Sequence, residues 1–262
     1  HINMKLKDIT NIIEKWSPLE HAETFDNVGL LVGNPNNNID KALITIDATE
    51  DVIDEAINQN CNLVITFHPI IFSGIKQITE KTYVERVVEK AIKNDINIYA
   101  VHTNLDNNPK GVNYKIAERL SLKNTSLLLK KDNNEVGMGM IGDLNDELSE
   151  IEFFEFLKLK MNVKHIKHSP LLGKKIKKIA VLGGSGSFAI EEAICQKADC
   201  YVTSDLKYHD YFKAEKKIIL ADIGHYESEQ FTKQLILDFL NKKIPKFACI
   251  ISKTKTNPVN HF

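Results

Sequence analysis

Four apolar segments of this chain each end in a histidine or a carboxylate. They are residues 62–68, ending at His68; 97–106, carrying His102 and Asp106; 200–205, ending at Asp205 with His209 just beyond; and 218–229, carrying Asp222, His225 and Glu229. If each segment is a buried strand, these side chains stand outside the carboxyl ends of a sheet, where open α/β folds collect ligands. Imidazole and carboxylate together are the donors expected for Zn, Mn, Fe or Ni, whereas magnesium prefers oxygen alone. A lone histidine at a strand end is usually a hydrogen-bonded structural residue; agreement at four strand ends points instead to one cluster of metal ligands.

The spacings refine this reading. Pro69 disfavours helical backbone at His68 and keeps the chain extended there. His225 and Glu229 are four residues apart, and a helix beginning after Gly224 puts both on one face of its first turn. A carboxylate such as Glu229 can bridge two ions about 3.5–4 Å apart. His102 and Asp106 have the same spacing with Asn104 between them, and converge from a loop. Asp205 is read as a helix cap, as a ligand itself, or as the carboxylate partner that a ligating histidine needs, with a substrate contact a further option for it and His209. Asp26-Asn27 is either a cap or a wall of the site. Gly183-Gly-Ser-Gly186 follows a strand and opens a helix, so it is either a tight turn or an anion contact through backbone N–H groups. It matches neither the dinucleotide fingerprint nor the P-loop.

The elements that must position these residues alternate. Helices are expected at 4–14, 48–58, 83–93, 112–120, 149–161, 187–198 and 227–240, and strands at 42–46, 62–67, 96–101, 178–182, 200–203, 218–221 and 247–251. Asp47 and Thr49 offer N-caps for the second helix, and Ser149 with Glu152 a capping box for the fifth. Strand runs at 126–130 and 137–142 flank a turn at 132–135 and read as an antiparallel pair. Alternation of this kind means an α/β protein with mostly parallel sheets. Two lobes are expected, 1–128 with 230–262 and 129–229, with the polar cluster between them. Residues 1–3 ahead of Met4 read as a cloning remnant.

Composition sets the outer bounds. With 262 residues, 43% hydrophobic and 26% charged, the chain is an ordinary globular length and composition. A net charge of -1 gives no broadly basic surface, so a nucleic-acid partner is not expected unless Lys174, Lys175, Lys177 and Lys178 act together. No signal peptide or membrane span is visible, and a cytoplasmic protein is expected. The four cysteines, Cys61, Cys195, Cys200 and Cys249, form no C-x-x-C pair and read as reduced structural thiols.

Six motifs, Phe25-Asp-Asn-Val-Gly-Leu, Phe67-His-Pro-Ile-Ile-Phe-Ser-Gly, His102-Thr-Asn-Leu-Asp106, Gly183-Gly-Ser-Gly186, Thr203-Ser-Asp-Leu-Lys-Tyr-His209 and Gly224-His-Tyr-Glu-Ser-Glu229, together resemble the Nif-three-like proteins, also called GTP cyclohydrolase type-two homologues. The resemblance runs in order from Met4 over nearly the whole chain. It implies two interlinked α/β lobes, a dinuclear metal site in the cleft between them, and a homohexameric ring. It further implies that His68 and His225 hold one ion, Asp106 the other, and that Glu229 bridges. Where the family usually has His-His-Pro, this chain has Phe67-His68-Pro69, which removes a ligand from the Asp106 ion. Either His102 replaces it or that ion binds weakly. Ser204 is a smaller departure, standing where the family more often has Gly.

These readings converge on a metal-dependent hydrolase with up to two divalent transition metals per chain, acting on a nucleotide-like or other small substrate. Glu229 and His102 are the expected catalytic residues, and His68, Asp106, His225 and Glu229 the expected ligands. The rival reading is a non-catalytic metal-binding ring that senses, stores or interacts.

Overall fold

The computed structural model describes residues 2–131 and 135–262, so most of the turn expected at 132–135 lies outside the described residues. The chain divides into two units. One combines the N-terminal residues up to Leu105 with Thr232–Phe262; the other is Asp106–Phe231.

The first unit is built on a five-stranded sheet ordered Ala248–Ile251, Lys41–Thr45, Leu63–Thr66, Asn97–Ala100 and Gly29–Val32. The first four strands are parallel and the last is antiparallel to its neighbour. Every residue of Leu63–Thr66 and Asn97–Ala100 is buried, which is why those runs are mostly apolar on both faces rather than alternating. One core packs Leu43, Val64 and Ile98 of the sheet against Val52, Ile53, Val87 and Val88 of the helices Glu50–Asn58 and Tyr83–Lys93. Both helices start on a threonine whose hydroxyl accepts from the backbone, Thr49 from Val52 and Thr82 from Glu85. The cap of the first is therefore Thr49; Asp47 is used elsewhere. Helices Leu6–Trp16 and Thr232–Lys243 meet through the stacked rings of Trp16 and Phe239, 4.1 Å apart. Met4 and Lys5, expected in that first helix, instead pair with Asn38–Ile39.

The second unit carries a six-stranded sheet ordered Lys123–Lys131, Val136–Ser149, Lys175–Ser185, Cys200–Ser204, Ile219–Asp222 and Lys167–His168. Only the three strands from Lys175 to Asp222 are mutually parallel; the remaining pairings are antiparallel. The sheet is thus mixed, because the hairpin 123–149 extends one edge. The sequence placed residues 106–128 in the first lobe. In the structure Val112–Arg119 lies with the strands Val136–Ser149 and Lys175–Ser185, and Lys123–Lys131 pairs in the hairpin. Glu150–Met161 begins with the expected capping box, Ser149 Oγ accepting from Glu152 N and Ser149 N donating to Glu152 Oε2 at 2.7 Å. The expected helix 187–198 is shorter, a 3-10 turn at Ser187–Ala189 followed by Ile190–Cys195. The expected helix 227–240 is two, His225–Glu229 and Thr232–Lys243. Among the described residues, no helix is long and apolar enough to cross a membrane.

Glu55 ties the C-terminal segment to the helix Glu50–Asn58. Its carboxylate accepts from Ser252 Oγ (2.6 Å), Lys253 N (2.8 Å), Thr254 N (3.1 Å) and Thr254 Oγ1 (2.6 Å). Burial opposes the charge, but these bonds outweigh it and hold the carboxyl below its ordinary 4.5. A depressed folded-state pKa stabilises above the unfolded value, and the gain disappears as pH falls through the folded one. Glu55→Gln is therefore expected to cost about 1 kcal/mol at pH 7, a modest figure because the group is partly solvated. Urea unfolding of both proteins from pH 7 down to pH 3 checks this: the gap must close in acid, and a constant gap contradicts the assignment.

Candidate metal centre

In the first unit, the chain leaves three neighbouring parallel strands at functional side chains. Asp47 follows Lys41–Thr45, His68 follows Leu63–Thr66, and His102 follows Asn97–Ala100. The carboxylate of Asp47 lies 2.8 Å from His68 Nδ1, and Thr256 Oγ1 donates to its other oxygen at 2.7 Å. The same arrangement recurs at His102, whose Nδ1 is 2.9 Å from Asp26 Oδ1. Asp26 Oδ2 accepts from Thr103 N and Thr103 Oγ1. Burial works against ionising Asp26, but His102 and Thr103 together bring its pKa down to about 2. An ionised carboxylate can only accept, so Nδ1 of each ring carries the proton and the lone pair of a neutral ring is at Nε2. The two imidazoles lie 5.3 Å apart, nearly perpendicular. Phe67 is fully buried, with its ring 5.1 Å from His68 and 5.4 Å from His102.

In the second unit, Asp205 follows Cys200–Ser204 in a left-handed conformation, φ 57°. It places Oδ2 2.7 Å from His225 Nδ1 and also takes a hydrogen bond from Ser185 Oγ. His225 opens the short helix His225–Glu229 after Gly224, whose φ of 94° suits glycine. The helical spacing brings His225 Nε2 to 3.2 Å from Glu229 Oε2, and Glu229 is only 3% exposed. Burial is the largest single influence on His225 and disfavours its charge. Glu229 and then Asp205 reverse that and raise it to about 9. Two carboxylates thus converge on one imidazole, a donor set whose negative charge calls for a cation.

The glycine turn builds this set rather than binding an anion. The N–H groups of Gly183, Gly184 and Gly186 donate to Asn113, Ser228 and Ser204 of the protein itself. A Cβ on Gly184, where φ is +73°, would stand 2.4 Å from Glu229 Oε1. The backbone of Gly184 therefore fills the space beside the Glu229 carboxylate.

As candidate metal donors the chain offers His68 in the first unit and His225 and Glu229 in the second, two imidazoles and a carboxylate. Asp106 is buried at the end of the helix Thr103–Asp106, its carbonyl accepting from Asn113 Nδ2. His209 lies exposed on the 3-10 segment Tyr208–Ala214, beside Tyr208 and Phe212. Asp205 takes the carboxylate-partner role that the sequence allowed it, and Asp26 proves to hold His102. Asp47 was missed as a partner because it also reads as a helix cap; its position directly after a strand was the available signal. Burial pushes the thiol of Cys61 up to about 11 and that of Cys249 up to about 12, which keeps both protonated.

Comparison with known proteins supports the motif reading. The sequence profile of Duf34/NIF3 (NGG1p interacting factor 3) matches residues 4–258. A Clostridium acetobutylicum protein named GTP cyclohydrolase 1 type 2 homolog is 37% identical over 233 residues, covering 87% of this chain and 86% of that protein. The crystal structure of the Staphylococcus aureus hypothetical protein SA1388 superposes with a TM-score of 0.92 at 28% identity, covering 99% of both chains. A Bacillus cereus protein related to NIF3 gives a TM-score of 0.92 at 25% identity over the full length of both chains.

Gly184→Ala tests the role of the turn. The added methyl forces a strained φ and a clash with Glu229, and the expected loss of stability is about 1–3 kcal/mol by denaturant unfolding. A change within the range of an ordinary surface substitution would show that the turn does not brace Glu229.

Proposed function

The chain belongs to the Duf34/NIF3 family, and from that premise we propose that it is a metal-dependent hydrolase acting on a small, nucleotide-like substrate. One observation carries the reading: three imidazoles, His68, His102 and His225, are each held at Nδ1 by an aspartate. Metal-ligating histidines ordinarily have such a carboxylate on their other nitrogen, which fixes the ring and raises the basicity of Nε2. The donor chemistry fits a divalent transition metal: imidazole nitrogens, plus the buried carboxylate of Glu229 beside His225. In this proposal His68, His225 and Glu229 would supply donors to a divalent ion, and Asp106 would serve a second.

A bound divalent ion supplies Lewis acidity and lowers the pKa of water toward neutrality. The protein's own groups do the rest. Asp47 and Asp205 keep His68 and His225 in the ligating tautomer. Glu229 is held by its helix and by the Gly184 backbone, ready to orient a water or accept its proton. His102, fixed by Asp26, presents Nε2 to exchange a proton with the substrate. Names carried by relatives, GTP cyclohydrolase 1 type 2 homolog among them, favour a nucleotide as the first substrate to try. Cytoplasmic location and assembly into a homohexamer belong to the same proposal.

Phe67 favours a second reading. Its buried ring supplies no donor where the resemblance expects a histidine. A weakened Asp106 ion would leave a metal-binding protein without two-metal chemistry. Elemental analysis of untagged protein purified without chelator, followed by hydrolysis assays on GTP and other nucleotides, separates the two. On the hydrolase reading wild type is expected to hold about two ions per chain; about one or fewer, raised toward two by Phe67→His, would favour the second reading. Glu229→Gln is expected to lower hydrolysis on the order of a hundredfold or more. Metal-loaded protein with no activity, or activity that survives Glu229→Gln unchanged, would sink the hydrolase reading.

A further inference from the structure

Phe25 and Phe72 are 66% and 47% exposed, yet neither stands alone. Their rings contact each other, 6.3 Å between centroids, and Phe72 contacts the ring of His102 at 6.5 Å in an edge-on arrangement. Both sit on tethered loops. Asp26, next to Phe25, is bound to His102 and Thr103. Glu23 N donates to Thr103 Oγ1 at 2.8 Å. Asn27 Nδ2 donates to the carbonyl of Ile71, beside Phe72, at 2.6 Å, joining the two loops directly. Fixed aromatic rings facing water beside a reactive imidazole are a costly arrangement for folding and a useful one for binding.

We infer that Phe25 and Phe72 form the ledge that takes the planar heteroaromatic ring of the substrate and positions it against His102. The inference rests on the reading of His102 as a substrate-facing residue and deepens it. The chemistry of the ledge selects the ring rather than a phosphate. The side chain of Asp26 is fully buried and spent on His102 and Thr103, and the exposed side chains shown to meet across the two loops are the rings of Phe25 and Phe72. Aromatic faces bind planar bases by stacking with little preference for which base. Phe25 and Phe72 are thus specificity-determining residues for a ring-bearing substrate, separate from the metal donors.

Calorimetric titration of the full chain with guanosine, GTP and tripolyphosphate tests this. Wild type is expected to bind guanosine and GTP. Phe25→Ala and Phe72→Ala should each weaken both on the order of tenfold and leave tripolyphosphate unchanged. Phe72→Trp should restore binding. Because both side chains are exposed, the alanine variants should keep the wild-type thermal midpoint and metal content. Failure of wild type to bind guanosine, or equal binding by the alanine variants, overturns the ledge. So does a changed sedimentation coefficient in Phe72→Ala, which would make the pair a contact between copies of the chain. Normal metal content and Glu229-dependent hydrolysis with no effect of the Phe variants would overturn the ledge alone and leave the hydrolase reading intact.

Discussion

An imidazole held at Nδ1 by a carboxylate is the interaction around which this chain is arranged. Among the described residues it is seen at Asp47–His68, Asp26–His102 and Asp205–His225. A partly buried carboxylate costs desolvation unless hydrogen bonds repay it. At Asp26 the repayment comes from His102 and Thr103 together, and the carboxyl stays ionised. The consequence is chemical as well as structural: each ring is locked in orientation and, when neutral, in the tautomer that leaves Nε2 as donor.

Much of the surrounding fold serves to deliver these pairs. In the first unit the buried parallel strands end in register, so Asp47, His68 and the segment bearing His102 leave the sheet at neighbouring points. Their apolar side chains pack on helices Glu50–Asn58 and Tyr83–Lys93, which fixes where the strands stop. In the second unit the parallel core Lys175–Asp222 does the same for Ser185 and Asp205. The antiparallel hairpin extends that sheet at the other side without contributing a donor. Both units therefore follow the rule that chemistry gathers beyond the carboxyl ends of parallel strands.

Some of the chain's departures from ordinary backbone geometry lie beside these residues. Asp205 has a left-handed backbone, Gly224 and Gly184 have positive φ, and Gly184 lies against Glu229 too closely for any side chain. Phe25 and Phe72 expose apolar rings beside His102. Such features lower stability, and beside His102, His225 and Glu229 they accompany groups that could do chemistry. Phe67 does the opposite: it is fully buried against both histidines and adds apolar packing there.

The sequence alone determined the α/β class, the strands that carry His68, His102 and Asp205, and the His225–Glu229 turn. These are local: apolar runs, caps and four-residue spacing are written in consecutive residues. The capping box at Ser149 was legible for the same reason. What tertiary structure decided was pairing between distant segments. Asp47 read as a helix cap and Asp26 as a cap or a wall of the site, and only the folded chain brings them to 2.8 and 2.9 Å from histidines 21 and 76 residues away in sequence. The glycine turn was ambiguous because an N–H group looks the same in sequence whether it faces an anion or Asn113 and Ser228. The assignment of residues 106–128 to the second unit was equally hidden, since helix periodicity shows which face is buried and not which sheet covers it.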